Sequence, residues 1–439
     1  MPSKTEITDI LNRTEQYLSG HLLPFWLDRS LDRQAGGLLT YFDRDGKATP
    51  ETDKPFIMQI RMLYTFAAAH RAGYGGGRAA QAATHIAEFI LKHYWDDAND
   101  GWFWIADRNG KTTVPNKIGY GQSFGMYSFA EYALATGDAR GREAAERSFA
   151  AVSKHMLDTR HGGYLEIFQP DWTVERPGRY GGDRKSMDIH MHMMEALTRL
   201  YEMTGKATHR RRLEEIIDLL IGRMLHPQYG TGYIQYALDF TPLPAILFAS
   251  VWGRDAEPED KVARPLDCTS FGHNMEFAWL LLHAADVLGH PRAKYAQVVR
   301  KIVDHCVAFG IDRECGGVLV EGPHDGPVQQ TATVRRAATG RERSSNDRAF
   351  EKQFWQQAEV LIALLDACAM FGDQKYWDAF KNVYDFVMSR YVNLAGGGEW
   401  YERLDRQGRP IDDALGHAWK CGYHTVRSMI QVIGRLRAM

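Results

Sequence analysis

The sequence has few cysteines, and their spacing predicts neither a disulfide framework nor a zinc ribbon. Among 439 residues there are five, an odd number without a CxxC pair, at Cys268, Cys306, Cys315, Cys368 and Cys421. Small secreted domains that depend on disulfides carry more cysteines at closer spacing. The pattern therefore predicts buried thiols in a reducing cytoplasm.

An excess of charge and long apolar runs are also missing. The 53 basic and 55 acidic side chains leave a net charge of −2, which argues against a polyanion as the main partner. No apolar run approaches the roughly 20 residues that cross a bilayer. The first residues, Ser3-Lys4-Thr5-Glu6, have the pattern of a helix capping box and not of a signal peptide. We therefore expect a cytoplasmic protein that binds neither nucleic acid nor membrane.

Apolar and aromatic residues, in contrast, are plentiful. Hydrophobic residues make up 44% of the chain and aromatic residues 12%, with 11 tryptophans. A large core needs such residues, and a cleft that stacks sugar rings also uses tryptophan. Composition alone leaves both interpretations open.

A glycine turn followed by apolar or aromatic residues recurs six times. Its copies contain Gly36, Gly101, Gly162, Gly230, Gly316 and Gly396, at intervals of 65, 61, 68, 86 and 80 residues. Each interval has room for two helices and a connection. Apolar residues at three- and four-residue spacing predict helices over 58–70, 121–135, 187–204, 273–288, 354–371 and 376–391.

Six helix pairs with short β-hairpins at one end predict an all-α (α/α)6 barrel, formed by a single catalytic domain over residues 1–439. The hairpins are expected because several glycine turns precede a β-like run and a second turn, as at residues 38–46 and 399–408. An open solenoid is the alternative, but neither terminus has the polar character of a capping repeat. Residues 324–349 form a polar insertion, which predicts either a disordered loop or a lid.

Three motifs, at residues 185–192, 272–276 and 419–424, place histidines in polar and aromatic surroundings. Histidine transfers protons readily because its ordinary pKa lies near neutral pH. No cage of cysteines or carboxylates accompanies these motifs in the sequence. They indicate acid/base chemistry on an organic substrate.

The first motif contains two histidines, His190 and His192, on a predicted helix. Two positions along a helix correspond to roughly 200° around its axis, so both cannot contact one ligand. His192 shares a face with Asp188 and Glu195 and is the better candidate for the cavity. A histidine buried for structural reasons is the alternative.

The other motifs give weaker signals, each with a structural alternative. His273 and Glu276 share one helix face, where the carboxylate could orient the imidazole or contact a substrate hydroxyl. His424 precedes an apolar helix and follows Trp419, which is either a surface for a sugar ring or a core aromatic. Arg61 lies on an apolar helix, which predicts an oxyanion or hydroxyl contact or a structural ion pair.

In combination, these motifs resemble the N-acylglucosamine 2-epimerase superfamily, and most closely its cellobiose 2-epimerase branch. The resemblance covers nearly the whole chain, through residues 23–27, 36–38, 59–61, 120–122, 185–192, 272–276, 354–359 and 419–424. It implies an (α/α)6 barrel that interconverts epimers at C2 of a reducing aldose, with no metal or other cofactor.

The resemblance also implies roles for individual residues. His273 and His424 match the histidines that shuttle the C2 proton, His192 matches the one linked to ring opening, and Arg61 matches an arginine near the sugar oxygens. The implied substrate-binding residues are Tyr120, Asp188, Glu276, Trp355, Glu359 and Trp419.

The chain departs from the disaccharide epimerases at several positions. Asp188 replaces their usual asparagine, Gly422 replaces a usual proline, and Asn274 and Phe277 differ from the usual pair. These changes keep the histidines and leave open whether a second sugar ring fits.

We therefore predict a sugar 2-epimerase that acts on mannose, glucose or a β-1,4-linked disaccharide such as cellobiose through an enediolate. An aldose–ketose isomerase converting mannose to fructose in the same site is the close alternative. From other classes, a glycoside hydrolase would need two carboxylates around the scissile bond; a non-catalytic sugar-binding protein and a zinc enzyme also stay open. We expect a small sugar as the partner of a monomer or homodimer.

Overall fold

The computed structural model describes residues 2–246, 264–265, 268–328, 334–336, 342–344 and 350–439. Its α-helices are Lys4–Tyr17 (α1), Leu23–Arg29 (α2), Phe56–Arg71 (α3), Gly76–His93 (α4), Gly119–Thr136 (α5), Ala139–His155 (α6), Met187–Thr204 (α7), Ala207–Arg223 (α8), Phe271–Leu288 (α9), Ala296–His305 (α10), Phe354–Phe371 (α11), Gln374–Phe386 (α12) and Gly422–Ala438 (α13). Single π-helical turns extend α1, α10 and α12, at Leu18–Leu22, Cys306–Gly310 and Val387–Tyr391.

Six of these helices form a closed inner ring: α3, α5, α7, α9, α11 and α13. Each packs against the next in chain order, and α13 packs against both α11 and α3, which closes the ring. The helices α1, α4, α6, α8, α10 and α12 each pack on the outer side of an inner helix. The predicted (α/α)6 barrel is confirmed, and the open solenoid is wrong.

The two rings differ in how their helices are buried. Every residue of α5 from Gly119 to Tyr132 is buried, because one side faces the ring interior and the other faces the outer helices. In α8 the buried residues are His209, Leu213, Ile216, Ile217 and Leu220, a single stripe at helical spacing. By length and composition α11 would span a membrane, but 78% of its 18 residues are buried within the protein, as its place in the inner ring requires.

Short antiparallel strands lie at the end of the barrel where the inner helices begin. Five inner helices follow directly on the strands Lys54–Pro55, Lys117–Ile118, Arg184–Ser186, Thr269–Ser270 and Lys352–Gln353. These pair with Ile105–Ala106, Ile167–Phe168, Gln235–Ala237, Glu321–Gly322 and Arg403–Leu404; Thr112–Val114 and Pro410–Asp412 each add a third strand. Two further pairs are Ala245–Ile246 with Arg264–Pro265 and Val334–Arg336 with Glu342–Ser344. The prediction of hairpins at one end is confirmed.

A buried lysine two residues before an inner helix joins that helix to the preceding glycine turn. Lys185 Nζ, for example, donates to Asp158 Oδ2 at 2.7 Å and to the Gly162 carbonyl at 2.6 Å. The lysines Lys54, Lys117, Lys185, Lys352 and Lys420 bind in this way to Asp32, Asp96, Asp158, Asp312 and Glu399. We call these five ion pairs the collar. In the fourth repeat Thr269 takes the place of the lysine and donates to the Gly232 carbonyl at 2.7 Å.

The fourth residue of an inner helix makes a second repeated contact, with the backbone just after the glycine turn. Gln59, Gln122 and Gln357 each accept a hydrogen bond from one backbone N–H there and donate to the carbonyl of the same residue. In α7 this residue is His190, whose Nε2 accepts from the Tyr164 N–H at 3.0 Å. His190 therefore replaces a structural amide, and the prediction that one histidine of the first motif packs away from the site is confirmed.

The sequence located the inner helices well and some of their ends less well. The predictions over 187–204 and 354–371 match α7 and α11, whereas 58–70, 121–135 and 273–288 begin two residues late. Two of these late starts have a physical reason, because Pro55 and Ile118 cap α3 and α5 without a side-chain hydrogen bond. The helix predicted over 376–391 also begins two residues late, at Gln374 in the structure, and its end is confirmed, since the π-helical turn that extends α12 runs to Tyr391.

Ser3 accepts a hydrogen bond from the Glu6 N–H, as the predicted capping box requires. All five cysteines are free; Cys306, Cys368 and Cys421 are buried, whereas Cys268 and Cys315 are half-buried. Within the predicted polar insertion, residues 329–333, 337–341 and 345–349 lie outside the described residues. Whether the insertion is a loop or a lid stays a prediction.

Candidate active site

The predicted site residues meet where the inner helices begin. The sixth residues of the inner helices are Arg61, Phe124, His192, Glu276, Glu359 and Arg427, a set that we call the sixth-position ring. One turn nearer the helix starts are Tyr120, Asp188, His273, Trp355 and His424. Residues three or four apart share a helix face, so the closed ring directs both sets toward one cavity.

His192 has an acidic partner at each ring nitrogen. Its Nδ1 lies 2.8 Å from Glu195 Oε2, and its Nε2 lies 3.2 Å from Asp188 Oδ1 and 2.9 Å from the Tyr120 hydroxyl. Burial alone lowers the pKa of His192, but the carboxylates of Glu276, Asp188 and Glu195 outweigh burial and raise the pKa to about 9. His192 is therefore an imidazolium at neutral pH and can donate a proton.

His424 has a carboxylate at one nitrogen only. Its Nδ1 lies 2.6 Å from Glu359 Oε1, and its Nε2 has no hydrogen-bond partner among the described residues. Burial, followed by the positive charges of Arg61, Arg427 and His192, holds the pKa of His424 well below its ordinary value. This imidazole is neutral, and the lone pair of Nε2 is available to accept a proton.

His273 is a second neutral imidazole on the other side of Trp355. Its ring centre lies 4.6 Å from that of Trp355, which in turn lies 5.8 Å from that of His424. Burial lowers the pKa of His273, although the carboxylate of Asp188, 3.6 Å from its Nε2, opposes the shift. The side chain is 28% exposed, so a substrate can reach it. One sequence-based option is wrong: no hydrogen bond joins Glu276 to this imidazole in the described structure, and Glu276 binds Arg427 instead.

Asp188 lies between His192 and His273 and retains unused hydrogen-bonding capacity. Burial by itself raises the pKa of this carboxyl, but His273, His192 and Arg61 hold it at about 2. Its Oδ1 is buried and has no hydrogen bond of good geometry within the described residues. A negatively charged acceptor in this place suits a sugar hydroxyl.

Arg61 is surrounded by aromatic rings. Its guanidinium donates to the Tyr120 hydroxyl and, at 3.4 Å, to the Trp419 carbonyl. It also lies 4.8 to 5.8 Å from the ring centres of Tyr120, Phe124, Trp419 and Tyr423. Because no carboxylate of the described residues forms an ion pair with it, the structural ion pair is excluded there, and the charge is available to an oxyanion or hydroxyl.

Half-buried tryptophans provide apolar surface on two sides of the site. Trp355 contacts both neutral histidines, and the ring centre of Trp419 lies 5.4 Å from that of Tyr120. Their placement agrees with the predicted role of stacking against a sugar ring, although core packing accounts for part of their burial.

Sequence reasoning missed Arg427, which lies at the centre of the site's carboxylates. Its Nη1 donates to Glu195 Oε1 at 2.5 Å, and its Nη2 lies 2.8 Å from both Glu276 Oε1 and Glu359 Oε1. One signal was present: Arg427 follows His424 by three residues, as Glu276 follows His273. Its partner Glu195 had been noted only as sharing a face with His192.

Glu276, Glu359 and His424 also have the spacing of a metal site, since each places a possible ligand atom within 4.8 Å of the others. However, Arg427 already bridges the two carboxylates, and Glu359 Oε2 accepts from the Trp279 indole N–H at 2.8 Å. A bound cation would have to displace the guanidinium. These donors therefore fit an arginine-centred network better than a metal ion.

Comparisons with known proteins agree with this fold. The family model described as N-acylglucosamine 2-epimerase matches residues 37–428. A cellobiose 2-epimerase of Bacteroides fragilis is 26% identical and covers 96% of this chain and 97% of its own, and a D-mannose isomerase of Marinomonas mediterranea is 20% identical over 96% and 98%. The structure of a cellobiose 2-epimerase from Bacillus thermoamylovorans superposes with a TM-score of 0.82 at 23% identity, covering 98% of this chain and all of the other.

Proposed function

Because the chain belongs to the N-acylglucosamine 2-epimerase family, we propose that it is a sugar 2-epimerase whose substrate is a reducing aldose. The family and its relatives establish the coarser statement, that the protein is an enzyme that epimerises or isomerises carbohydrates. For the substrate we propose mannose and glucose, or a β-1,4-linked disaccharide such as cellobiose. The observation that carries the proposal is the convergence of three histidines. His192 and His273 both approach Asp188 Oδ1, at 3.2 and 3.6 Å, and Trp355 contacts both His273 and His424.

The reaction begins with ring opening, because C2 of an aldose is acidic only beside a free carbonyl. His192 donates a proton to the ring oxygen as the C1–O5 bond breaks, while one of the two neutral histidines takes the proton of the C1 hydroxyl. The imidazolium suits this step since the carboxylates of Asp188 and Glu195, 3.2 and 2.8 Å from its ring nitrogens, stabilise its charge. Asp188, with an unused acceptor atom, is placed to bind a sugar hydroxyl.

Abstraction of the C2 proton follows, and it needs a neutral base. His424 or His273 takes the proton, and the electron pair of the C–H bond forms the C1–C2 double bond of an enediolate. Return of a proton to the opposite face of C2 inverts the configuration. The donor is either the second histidine, which carries the proton taken from the C1 hydroxyl, or the same imidazolium after rotation about the C2–C3 bond. A positioned base of this kind contributes about 10²–10⁴ in rate.

Charge on the enediolate oxygen is stabilised in three ways. Arg61 has no carboxylate partner among the described residues, and the Tyr120 hydroxyl lies beside it. The inner helices also direct their amino-terminal ends, with their partial positive charge, toward the cavity.

A sugar panel in D2O tests the proposal. We would incubate the enzyme with mannose, glucose, cellobiose and N-acetylglucosamine, and follow C2 epimers and ketoses by NMR. The expected result is an epimer carrying deuterium at C2. Epimer formed without any deuterium at C2 would contradict proton exchange with the site.

An aldose–ketose isomerase is the second candidate, because a D-mannose isomerase is among the relatives. Delivery of the proton to C1 of the same enediolate gives the ketose. The panel distinguishes the two activities: fructose from mannose with deuterium at C1 indicates the isomerase, and glucose with deuterium at C2 the epimerase.

Three other classes remain, and the sugar panel together with a chelation test distinguishes them. A glycoside hydrolase would release monosaccharides from cellobiose, but Glu276 and Glu359 are both tied to Arg427, an arrangement that does not leave two carboxylates around a bond. A sugar-binding protein would leave every sugar unchanged. Loss of activity on chelation would favour a zinc enzyme.

Several expectations from the sequence stay proposals. These are a single catalytic domain over residues 1–439, a monomer or homodimer, a cytoplasmic location, and a small sugar as partner without nucleic acid, membrane or cofactor.

A further inference from the structure

Arg427 connects the carboxylates that hold two functionally different histidines. One of its nitrogens binds Glu195, the partner of His192, and the other binds Glu359, the partner of His424. The guanidinium is 1% exposed, so it is shielded from solvent and reaches no substrate directly. The proposed mechanism gives it no role so far.

The two carboxylates share their oxygens differently. On Glu359 the same atom, Oε1, accepts from both His424 Nδ1 and Arg427 Nη2, at 2.6 and 2.8 Å. On Glu195 the arginine binds only Oε1; Oε2 lies 2.8 Å from His192 Nδ1, and the Tyr423 hydroxyl lies 2.9 Å from both oxygens. An oxygen that already accepts from a guanidinium attracts a further proton less strongly.

We infer that Arg427 is a positioning residue that keeps His424 neutral and His192 charged. It shares one oxygen of Glu359 with His424, whereas on Glu195 it binds one oxygen and His192 binds the other. The inference rests on the proposed function only for its consequence in catalysis. The charge difference between the two histidines is a property of the free enzyme.

The other charged groups around these histidines act in the same direction. Arg61 of α3 and His192 of α7 bring positive charge toward His424, whereas Asp188 of α7 and Glu276 of α9 act on His192. Further titratable groups face these histidines. The Tyr120 hydroxyl lies 2.9 Å from His192 Nε2, the Tyr423 hydroxyl donates to Glu195 at 2.9 Å, and His273 Nε2 lies 3.6 Å from Asp188. The collar pair of Lys420 and Glu399 lies beside Thr425 of α13.

Titration of the histidines in the free enzyme tests the inference without any substrate. We would record imidazole ¹⁵N shifts between pH 5 and 10 and assign the two residues with His192→Gln and His424→Gln. We expect His192 protonated at both nitrogens at pH 7, and His424 neutral with its proton on Nδ1. Identical titration of the two residues, or a charged His424 at pH 7, would overturn the inference.

A pair of arginine variants then tests the cause. Arg427→Gln removes the charge shared with Glu359, so the pKa of His424 should rise, and with it the acid limb of kcat/KM, by about one pH unit or more. Arg427→Lys keeps the charge but not the planar fork and should give a smaller shift. The matched control is Arg199→Gln, since Arg199 is also buried and pairs with Glu131 and Glu202 away from the histidines.

The outcomes separate this inference from the proposed function. An unchanged acid limb in folded Arg427→Gln, or an equal shift in Arg199→Gln, would contradict the role of Arg427 even if the enzyme epimerises sugars. Conversely, a sugar panel without turnover leaves the ¹⁵N titration fully interpretable. If Arg427→Gln does not fold, Arg427→Lys and the titration of the unaltered protein decide.

Discussion

Two belts of polar side chains circle the barrel near the starts of its inner helices, and they follow opposite rules. In the collar, five of six repeats use the same lysine with an acidic partner, each pair nearly inaccessible to solvent. In the sixth-position ring, one turn inside the helices, the six repeats supply arginine, phenylalanine, histidine, glutamate, glutamate and arginine. Repetition of a residue marks a contact that every repeat needs in order to fold, whereas its variation marks the asymmetric chemistry of a single site.

The same contrast separates the two histidines of α7. His190 occupies the fourth helix position, where other repeats have glutamine, and it binds backbone. His192 occupies the sixth position, where neighbouring repeats agree only at Glu276 with Glu359 and at Arg427 with Arg61. Neighbouring histidines in one motif therefore serve the fold and the site, respectively.

The largest effect is expected from removing a base of the site. His424→Gln should lower kcat by about 10²–10⁴, because glutamine fits the position but cannot carry the C2 proton. Steady-state kinetics by NMR and circular dichroism would measure activity and folding. The matched control is His190→Gln, which restores the side chain that Gln59 and Gln357 provide elsewhere. An equal loss of kcat in His424→Gln and His190→Gln would contradict the assignment of His424 to the site and of His190 to the fold.

The collar should show the converse pattern, a large loss of stability with little loss of activity. Lys185→Met leaves Asp158 buried without its cation, which costs about 3–5 kcal/mol of unfolding free energy. Chemical denaturation would measure the loss, with kcat/KM determined where the protein is folded. An additional Asp158→Asn should recover much of the stability, since the asparagine oxygen can still accept from the Arg160 and His161 N–H groups.

An exposed ion pair gives the loss of stability with which the loss in Lys185→Met is to be compared. Arg212→Met removes a helical ion pair with Glu215 whose side chains are 32% and 49% exposed, and it should cost at most about 0.5 kcal/mol. A collar variant as mild as this one would show that the five pairs do not hold the turns.

The pH dependence of activity should respond to carboxylates that contact His192 and not to other buried carboxylates. The folded pKa of His192, about 9, lies above its ordinary value of 6.5, so its stabilising contribution is full below pH 6.5 and is lost as pH rises through 9. Activity that needs the imidazolium should fall over the same upper range. Glu195→Gln removes one carboxylate and should move the basic limb of kcat/KM down by about one pH unit or more.

Glu131→Gln is the control for this prediction, because Glu131 is equally buried and pairs with Arg71 and Arg199. It should lower stability and leave the basic limb unchanged. If the basic limb of kcat/KM does not move in Glu195→Gln, the group that titrates at high pH is not His192.

The sequence predicted the repeat and the barrel because both depend on local signals. Glycine turns such as Gly162 and helical spacing as in α7 are visible in any one stretch of chain. The histidines were found because they differ from their apolar surroundings. The single-domain organisation and the roles assigned to site residues stay predictions, since geometry alone does not measure turnover.

The contacts that sequence reasoning missed join residues far apart in the chain. Arg427 binds Glu195, which is 232 positions away in the sequence, and Glu276, which is 151 positions away. No local sequence pattern therefore predicts these pairs. Comparing the repeats residue by residue would have found the collar lysines, which all lie two residues before an inner helix. The charge states of His192 and His424 could not be predicted from the sequence, because they depend on which carboxylate oxygen each ring nitrogen contacts in the folded protein.

Within the collar, the smallest effect is expected in the fourth repeat, which has no ion pair. Thr269 Oγ1 donates to the Gly232 carbonyl at 2.7 Å and accepts from Asn274 Nδ2 at 2.8 Å. Thr269→Val keeps the shape but removes these neutral hydrogen bonds, at a cost of about 1 kcal/mol. Denaturation beside Lys185→Met measures the difference, with Thr269→Ser as the control that retains the hydroxyl. A loss as large as that of Lys185→Met would mean that the lysine charge adds nothing to the collar, and that any buried hydrogen bond two residues before the helix holds the turn equally well.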